Sequence, residues 1–289
     1  MDRTEYAEPA YGFWSLKKEI ALMYCIWPFL QIAKHRFDSY YYLDLFAGSG
    51  MMQADEETYF VGSPIVALGG TPPDVRFNSY TCFENKPTRA AILERRLAIA
   101  SNELGIGPCK VLVENCNSSF SSDLGSICSG DPRKICFLAF VDPEGLEVDW
   151  NTVERILKHC KGDLILTFAT SGIMRNLEMA RKNVAMGKTF TRFFGSERWQ
   201  DLEVDERSIV GFYMSNLGRI RGRTEIVHNI PVKDESNHRL YDIVFVTGSR
   251  AMGNVILDLS ERLSNVQTRD LRSLCHVLTG KVSQLNDFF

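Results

Sequence analysis

No stretch of this 289-residue chain is apolar for long enough to span a bilayer. The longest candidate, Ile20 to Ile32, holds Trp27 and Pro28 and falls short of the roughly 20 apolar residues a spanning helix needs. The opening MDRTEYAEPAYGFW lacks the basic-then-apolar order of a secretory leader, so we expect an intracellular, cytoplasmic protein with no membrane role. An excess of positive charge is also missing. The formal net charge of -3 argues against a strongly basic nucleic-acid glove, although it is compatible with a local basic patch. None of the eight cysteines (25, 82, 109, 116, 128, 136, 160 and 275) has a CxxC neighbour. Most fall in apolar or amphipathic stretches, as buried reduced thiols do. His159-Cys160 and Cys275-His276 are adjacent pairs, but chain neighbours rarely point at one metal, and we expect no metal site. Internal repeats, low-complexity segments and Pro/Gly/Ser linkers are absent too, so residues 1–289 read as one domain.

What is there is an alternation of strands and helices. An amphipathic helix, Leu16 to Lys34, precedes the first strand, SYYYLDLF (39–46). Further strands are expected at SYTCFE (79–84), CKVLVE (109–114), CFLAFVD (136–142) and DLILTF (163–168), with helices over Lys86–Leu104 and Trp150–Cys160. The pattern then changes. Ser171 to Met186 reads as a basic helix, FFGSERW (193–199) breaks it, and Asp205 to Arg219 resumes it. TEIVHNIPV (224–232) and RLYDIVFVTG (239–248), joined by KDESNH, read as an antiparallel hairpin, and Asn254 to Leu263 as a closing helix. Such a chain predicts an α/β, doubly wound, mostly parallel seven-stranded sheet with an antiparallel C-terminal hairpin. A helical extension (about 1–38) and a helical insertion (about 171–222) are attached to it.

In an open α/β sheet, ligands bind at the carboxyl ends of the strands. The first strand runs into the glycine turn of YYLDLFAGSG, with Asp44 just before it. A dinucleotide fingerprint would need a third glycine where Gln53 stands; a P-loop would need a lysine where Met51 stands. Asp44 would moreover repel a pyrophosphate at short range. A ligand with a cation and no phosphate fits better, and S-adenosylmethionine, with its ammonium and sulfonium, is one. A glycine turn made only for packing is the plainer alternative. Glu84 at the end of the second strand could accept both hydroxyls of a ribose, or merely open a helix. Asn115 after the third could pair with an adenine edge, or cap the following helix. Asp142, before Pro143, could face an amine or hydroxyl acceptor, or be an ordinary turn aspartate.

Basic residues gather after the fifth strand, from Arg175 through Arg181, Lys182, Lys188, Arg192 and Arg198 to Arg219, Arg221 and Arg223. Phe190, Phe193, Phe194, Trp199, Phe212 and Tyr213 interleave with them. Together they could track a phosphate backbone and stack bases. The plainer reading makes the aromatics core and the arginines a solvated face.

The order of elements and the motif DLFAGSG resemble class I S-adenosylmethionine-dependent methyltransferases, whose Rossmann-like sheet carries its seventh strand antiparallel beside the fifth. More narrowly the chain resembles the three-Cys-motif partner protein family. YYYLDLFAGSG, VGSPIVAL (61–68), CFEN (82–85), FVDPEGLEVDWNTVERIL (140–157), DLILTF, RFFGSERW (192–199) and LYDIVFVTGSRAMGNVIL (240–257) carry that resemblance. It implies S-adenosylmethionine as cofactor, held by Asp44, Phe46, Gly48, Gly50, Glu84 and Asn115, with Asp142 and Pro143 at the catalytic position. It also implies a partner protein bearing three cysteines, of radical S-adenosylmethionine type. The acceptor would be a nucleic acid or a group delivered by that partner. A non-catalytic cofactor-binding subunit of a DNA-modification or defence system is the other reading. Glu144 stands where the family usually has an aromatic after Asp-Pro, and Glu114-Asn115 where it has Gly-Asp.

Overall fold

In a computed structural model, residues 12–53, 59–119, 130–159, 161–221, 225–234 and 236–266 are described, together with Ile127 and Leu271. Seven strands form one sheet: β1 (Ser39–Asp44), β4 (Ser79–Phe83), β5 (Cys109–Leu112), β6 (Ile135–Val141), β7 (Lys161–Phe168), β8 (Ile226–Lys233) and β9 (Arg239–Thr247). Their order is β5-β4-β1-β6-β7-β9-β8. The first five are parallel; β9 runs antiparallel to β7 and slots between it and β8. The sequence-based expectation of a doubly wound sheet closed by an antiparallel hairpin is therefore met. The switch point lies at β1, where the order turns from β4 on one side to β6 on the other.

Helices cover both faces. On one lie α1 (Leu16–Ala33), α2 (Ser63–Gly69), α3 (Pro87–Leu104) and the last helix, α9 (Arg250–Asn265). On the other lie the short α4 (Cys116–Ser119), α5 (Trp150–His159), α6 (Thr170–Lys182), α7 (Val184–Phe194) and α8 (Glu206–Leu217). Every residue of β6 is buried, and its side chains alternate between the two cores. Cys136, Leu138 and Phe140 enter the first, Phe137, Ala139 and Val141 the second. A strand buried on both faces has to be apolar throughout, which is why this run was readable.

Two parts differ from the expectation. The helix predicted to run to Met186 ends at Lys182. Asn183 is extended, its side chain accepts from the Met186 amide, and so it starts α7, which continues to Phe194. An asparagine that competes for the backbone in this way reads like any polar residue in a sequence. The second is a two-stranded hairpin, β2 (Met51–Gln53) against β3 (Tyr59–Val61), interposed between the glycine turn and α2. Among the described residues no helix is long and apolar enough to cross a membrane.

Candidate functional site

The glycine turn is fixed by its neighbours before any ligand arrives. Leu45 N–H donates to the Phe140 carbonyl and Ala47 N–H to that of Phe83, both at 3.0 Å, so the chain leaves β1 held between β6 and β4. Gly50 has φ +79°, and a Cβ there would stand 2.9 Å from Leu93 Cδ1. The glycine missing at position 53 is supplied from elsewhere. Gly62, after the inserted hairpin, donates its N–H to the Gly50 carbonyl at 2.9 Å. A Cβ on Gly62 would come 3.3 Å from the Gly50 backbone. A glycine of close approach is thus present at the turn, but it follows the inserted hairpin. Arg96 of α3, 3% exposed, donates to the Ser49 carbonyl at 2.8 Å and the Ser49 hydroxyl at 3.1 Å, bracing the turn from outside.

A cleft of about 520 Å³ opens over this turn at the carboxyl end of the sheet. Phe46, Gly48, Gly50, Glu84, Asn115, Asp142 and Pro143 all line it. Asp44 does not. It stands behind the turn, fully buried, with Oδ2 accepting from the Tyr42 hydroxyl at 2.8 Å and Oδ1 without a partner. Burial pushes its carboxyl up to about 7, the Ser63 and Tyr42 hydroxyls and the Phe46 amide hold it down, and Asp142 adds to the rise.

The sequence reading missed the groups that α1 contributes. Lys18 donates to Asp142 Oδ2 at 2.5 Å. Glu19 is 1% exposed, and burial, reinforced by Asp142, holds its carboxyl well above the usual range. The signal was available: Glu19 sits on the apolar stripe of α1, between Leu16 and Ile20, where a solvated acid has no place. Glu19 and Asp142 thus line the cleft while Asp44 stands behind its turn, with Asp142 near enough to raise the carboxyls of the other two. Asp44 Oδ1, Asp142 Oδ1 and Glu19 Oε2 are all buried without a hydrogen-bond partner. Lys18 is the single base among them. Buried polar atoms left in this way point to an absent partner, and for carboxylates the partner is a cation or a hydrogen-bond donor.

Glu84 is 7% exposed at the end of β4; its Oε1 accepts from the Lys86 amide at 2.7 Å. No described residue bonds its other oxygen. Asn115 is exposed on the cleft wall, and its Oδ1 accepts from the Asn117 amide at 2.9 Å, so its acceptor is engaged in starting α4. Glu144 does not stack on anything. It reaches across the mouth to Arg89 at 3.3 Å, with its side chain 54% exposed. Six carboxylates line the cleft against four basic side chains, Lys18, Lys86, Arg89 and Arg175. That balance favours a cationic ligand over a polyphosphate.

The aromatics interleaved with the basic run face inward. Phe190, Phe193, Phe194, Trp199 and Tyr213 are buried in the second core, and Phe212 packs against it. Of the arginines, Arg175 lies on the cleft wall, while Arg221 is turned inward to the Leu157 carbonyl at 2.6 Å. Arg223 and Cys160 lie outside the described residues, as do Cys275 and His276. Among the described residues no cluster of His, Cys, Asp and Glu is arranged to hold a metal ion.

No protein-family model matches the chain, and no curated protein does. Solved structures do match. A Legionella pneumophila protein described under the family model DUF519 is 13% identical, with 86% of this chain and 91% of that one covered at a TM-score of 0.49. A precorrin-6y C5,15-methyltransferase from Geobacter metallireducens is 11% identical over 80% and 87%, TM-score 0.37. An rRNA methylase from Streptococcus thermophilus is 11% identical over 79% and 95%, TM-score 0.36. Likenesses this distant say nothing of chemistry; the strand order above stands on its own.

Proposed function

We propose that this protein binds S-adenosylmethionine in the cleft and transfers its methyl group to an acceptor held at Asp142. The observation that carries the reading is the set of orphaned carboxylate oxygens beside a glycine turn with no lysine. Gly48, Gly50 and Phe46 would cradle the methionine end, and Asp44, from behind the turn, would attract its ammonium through the field of its charge. Glu84 would take the ribose. Asn115, on the cleft wall, would meet the adenine. Bound there, S-adenosylmethionine would supply a methyl group activated by its sulfonium, and the acceptor would give up a proton on taking it. Asp142 orients the acceptor and Pro143 keeps the aspartate extended at the lip of the sheet.

The narrower parts of the reading rest on the motif resemblance alone: membership of the three-Cys-motif partner family, a radical S-adenosylmethionine-type partner, and a nucleic-acid acceptor approached through the 175–223 region. One observation favours the non-catalytic alternative, a cofactor-binding subunit. Glu144 is tied to Arg89 where an aromatic would stack a substrate. Calorimetric titration with S-adenosylmethionine, with NAD and ATP as controls, tests the common ground. Micromolar binding of the first alone is expected. Equal or tighter binding of NAD would overturn the reading.

A further inference from the structure

We infer that the space between Glu19, Asp142 and the face of Tyr241 is an ammonium subsite, filled in the free protein by the chain's own Lys18, and that the acceptor is an alkyl amine that takes Lys18's place. The acceptor half rests on the methyltransferase reading above; the subsite does not.

The subsite has three walls and one occupant. Lys18 Nζ lies 2.5 Å from Asp142 Oδ2, with the two side chains only 14% and 15% exposed. It also lies 5.6 Å from the centroid of the Tyr241 ring. The Tyr241 hydroxyl donates to the Trp14 carbonyl at 2.7 Å, which fixes the ring and leaves its face to the cation. Glu19 Oε2 and Asp142 Oδ1 remain buried and unpartnered. Two carboxyl groups and an aromatic face are what an organic ammonium binds to.

Its position suits an acceptor. Leu45 N–H bonds to the Phe140 carbonyl at 3.0 Å, so the start of the turn and the end of β6 are neighbours. Asp142 follows two residues later, and adjacent strands lie about 4.8 Å apart. A group on Asp142 is therefore about one strand spacing from anything resting on the glycine turn.

Displacement needs only the side chain to move. The backbone of α1 is tied down on the far side of the helix, by Lys17 Nζ to the Leu263 carbonyl at 3.2 Å and by Tyr24 to Asp258. Lysine carries its charge on a flexible four-carbon stem and can withdraw toward the open mouth. A hydroxyl acceptor would leave Asp142 without a counter-charge when it did so, which is costly for a largely buried acid. An ammonium replaces like with like. Asp142 then accepts the proton the amine must shed and passes it to water in the open cleft.

The test needs no known substrate. Lys18→Ala empties the subsite, and methylammonium is the probe. Methylammonium chloride should raise the thermal midpoint of Lys18→Ala well above the effect of sodium chloride at the same ionic strength, and by more than in the wild type. The difference should vanish in Lys18→Ala/Asp142→Asn. An equal response to the two salts would overturn the subsite. Should Lys18→Ala fail to fold, the wild type carries the test. Methylammonium should then speed acylation of Lys18, read from the mass of its peptide, and unchanged labelling would sink the idea. Titration with S-adenosylmethionine separates the two claims. Binding without a methylammonium response removes the subsite and leaves the cofactor reading standing. A response without binding keeps the subsite and removes the acceptor.

Discussion

Asp44 and Asp242 are both fully buried, and they teach opposite lessons. Asp242, on β9, has both oxygens engaged. Oδ2 accepts from the Thr170 hydroxyl and from Arg239 Nε at 2.8 Å. Oδ1 accepts from Asn229 Nδ2 at 2.6 Å and from a second Arg239 nitrogen. Arg239 goes on to Glu206 at 2.7 Å, so one carboxylate ties β8, β9, α6 and α8 together. Asp44 has one oxygen on Tyr42 and nothing on the other. The first region is complete without a ligand and reads as architecture. The second spends burial on an acid it does not satisfy, which a fold tolerates where something else completes it.

The comparison breaks most visibly by mutation. Asp242→Ala strands the Arg239 guanidinium, two-thirds of whose network it removes, and should cost about 3–5 kcal/mol in a denaturant titration. Asp44→Asn should change stability by less than about 1 kcal/mol, because Asn keeps an acceptor for Tyr42 and carries no charge to bury. The same substitution should weaken S-adenosylmethionine by about tenfold, the loss of one favourable buried charge behind the turn. If the two variants lost similar stability, Asp44 would be architecture as well.

The pH dependence sharpens it. Asp44 is raised from 3.8 to about 7 by burial, so the folded state holds a proton that the unfolded state has lost. A raised acid contributes stability that is fully present below its unfolded value and is lost as pH rises through the folded one. Stability should therefore fall between about pH 4 and pH 7, by at most about 1.4 kcal/mol per pH unit from this group. Asp163 is raised to about 7 by burial too, opposed by the Thr247 hydroxyl and Arg221, and adds a slope of the same sign. Of these two, Asp44 is the one beside the cleft. A cation drawn to it expels its proton, so calorimetry near pH 6.5 in buffers of different ionisation enthalpy should show proton release on binding. Asp44→Asn should abolish that release, and Asp163→Asn should leave it unchanged.

The mostly parallel sheet with its closing hairpin and the alignment of Gly48, Gly50, Glu84 and Asp142 at one edge were legible, because a two-sided buried sheet leaves near-continuous apolar runs and parallel strands share a carboxyl end. The hairpin β2–β3 was not, since three-residue strands carry no usable period. Lys18 and Glu19 escaped because they come from a helix before the first strand, and only packing brings α1 over the cleft. Asp44, just before the glycine turn, was expected to hold the ligand. The structure sets it behind the turn, a matter of side-chain direction that a strand's two-residue period leaves open at its last residue.

The turn itself gives a smaller effect. Gly50→Ala puts a side chain at φ +79° and a Cβ 2.9 Å from the flexible end of Leu93. The backbone cost is about 1–2 kcal/mol, and the leucine can yield. Thermal unfolding should register that modest loss, while cofactor affinity falls by more than stability does, because the Ser49 carbonyl that Arg96 holds must shift.

The smallest effect belongs to the mouth. The Arg89–Glu144 pair has its acid more than half exposed and spans 3.3 Å. Exposed pairs of this kind contribute about 0–1 kcal/mol, and salt screens them. Glu144→Ala should leave the thermal midpoint and S-adenosylmethionine affinity nearly unchanged, with any shift shrinking as salt is added. Glu144→Phe places an aromatic at the mouth and removes the pair with Arg89. If the mouth only limits which acceptors enter, cofactor affinity stays constant across the three proteins while acceptor turnover changes. A clear loss of cofactor affinity in Glu144→Ala would mean that mouth and base act as one unit, and the satisfied-versus-orphaned distinction would then have to be drawn around the whole cleft rather than at its floor.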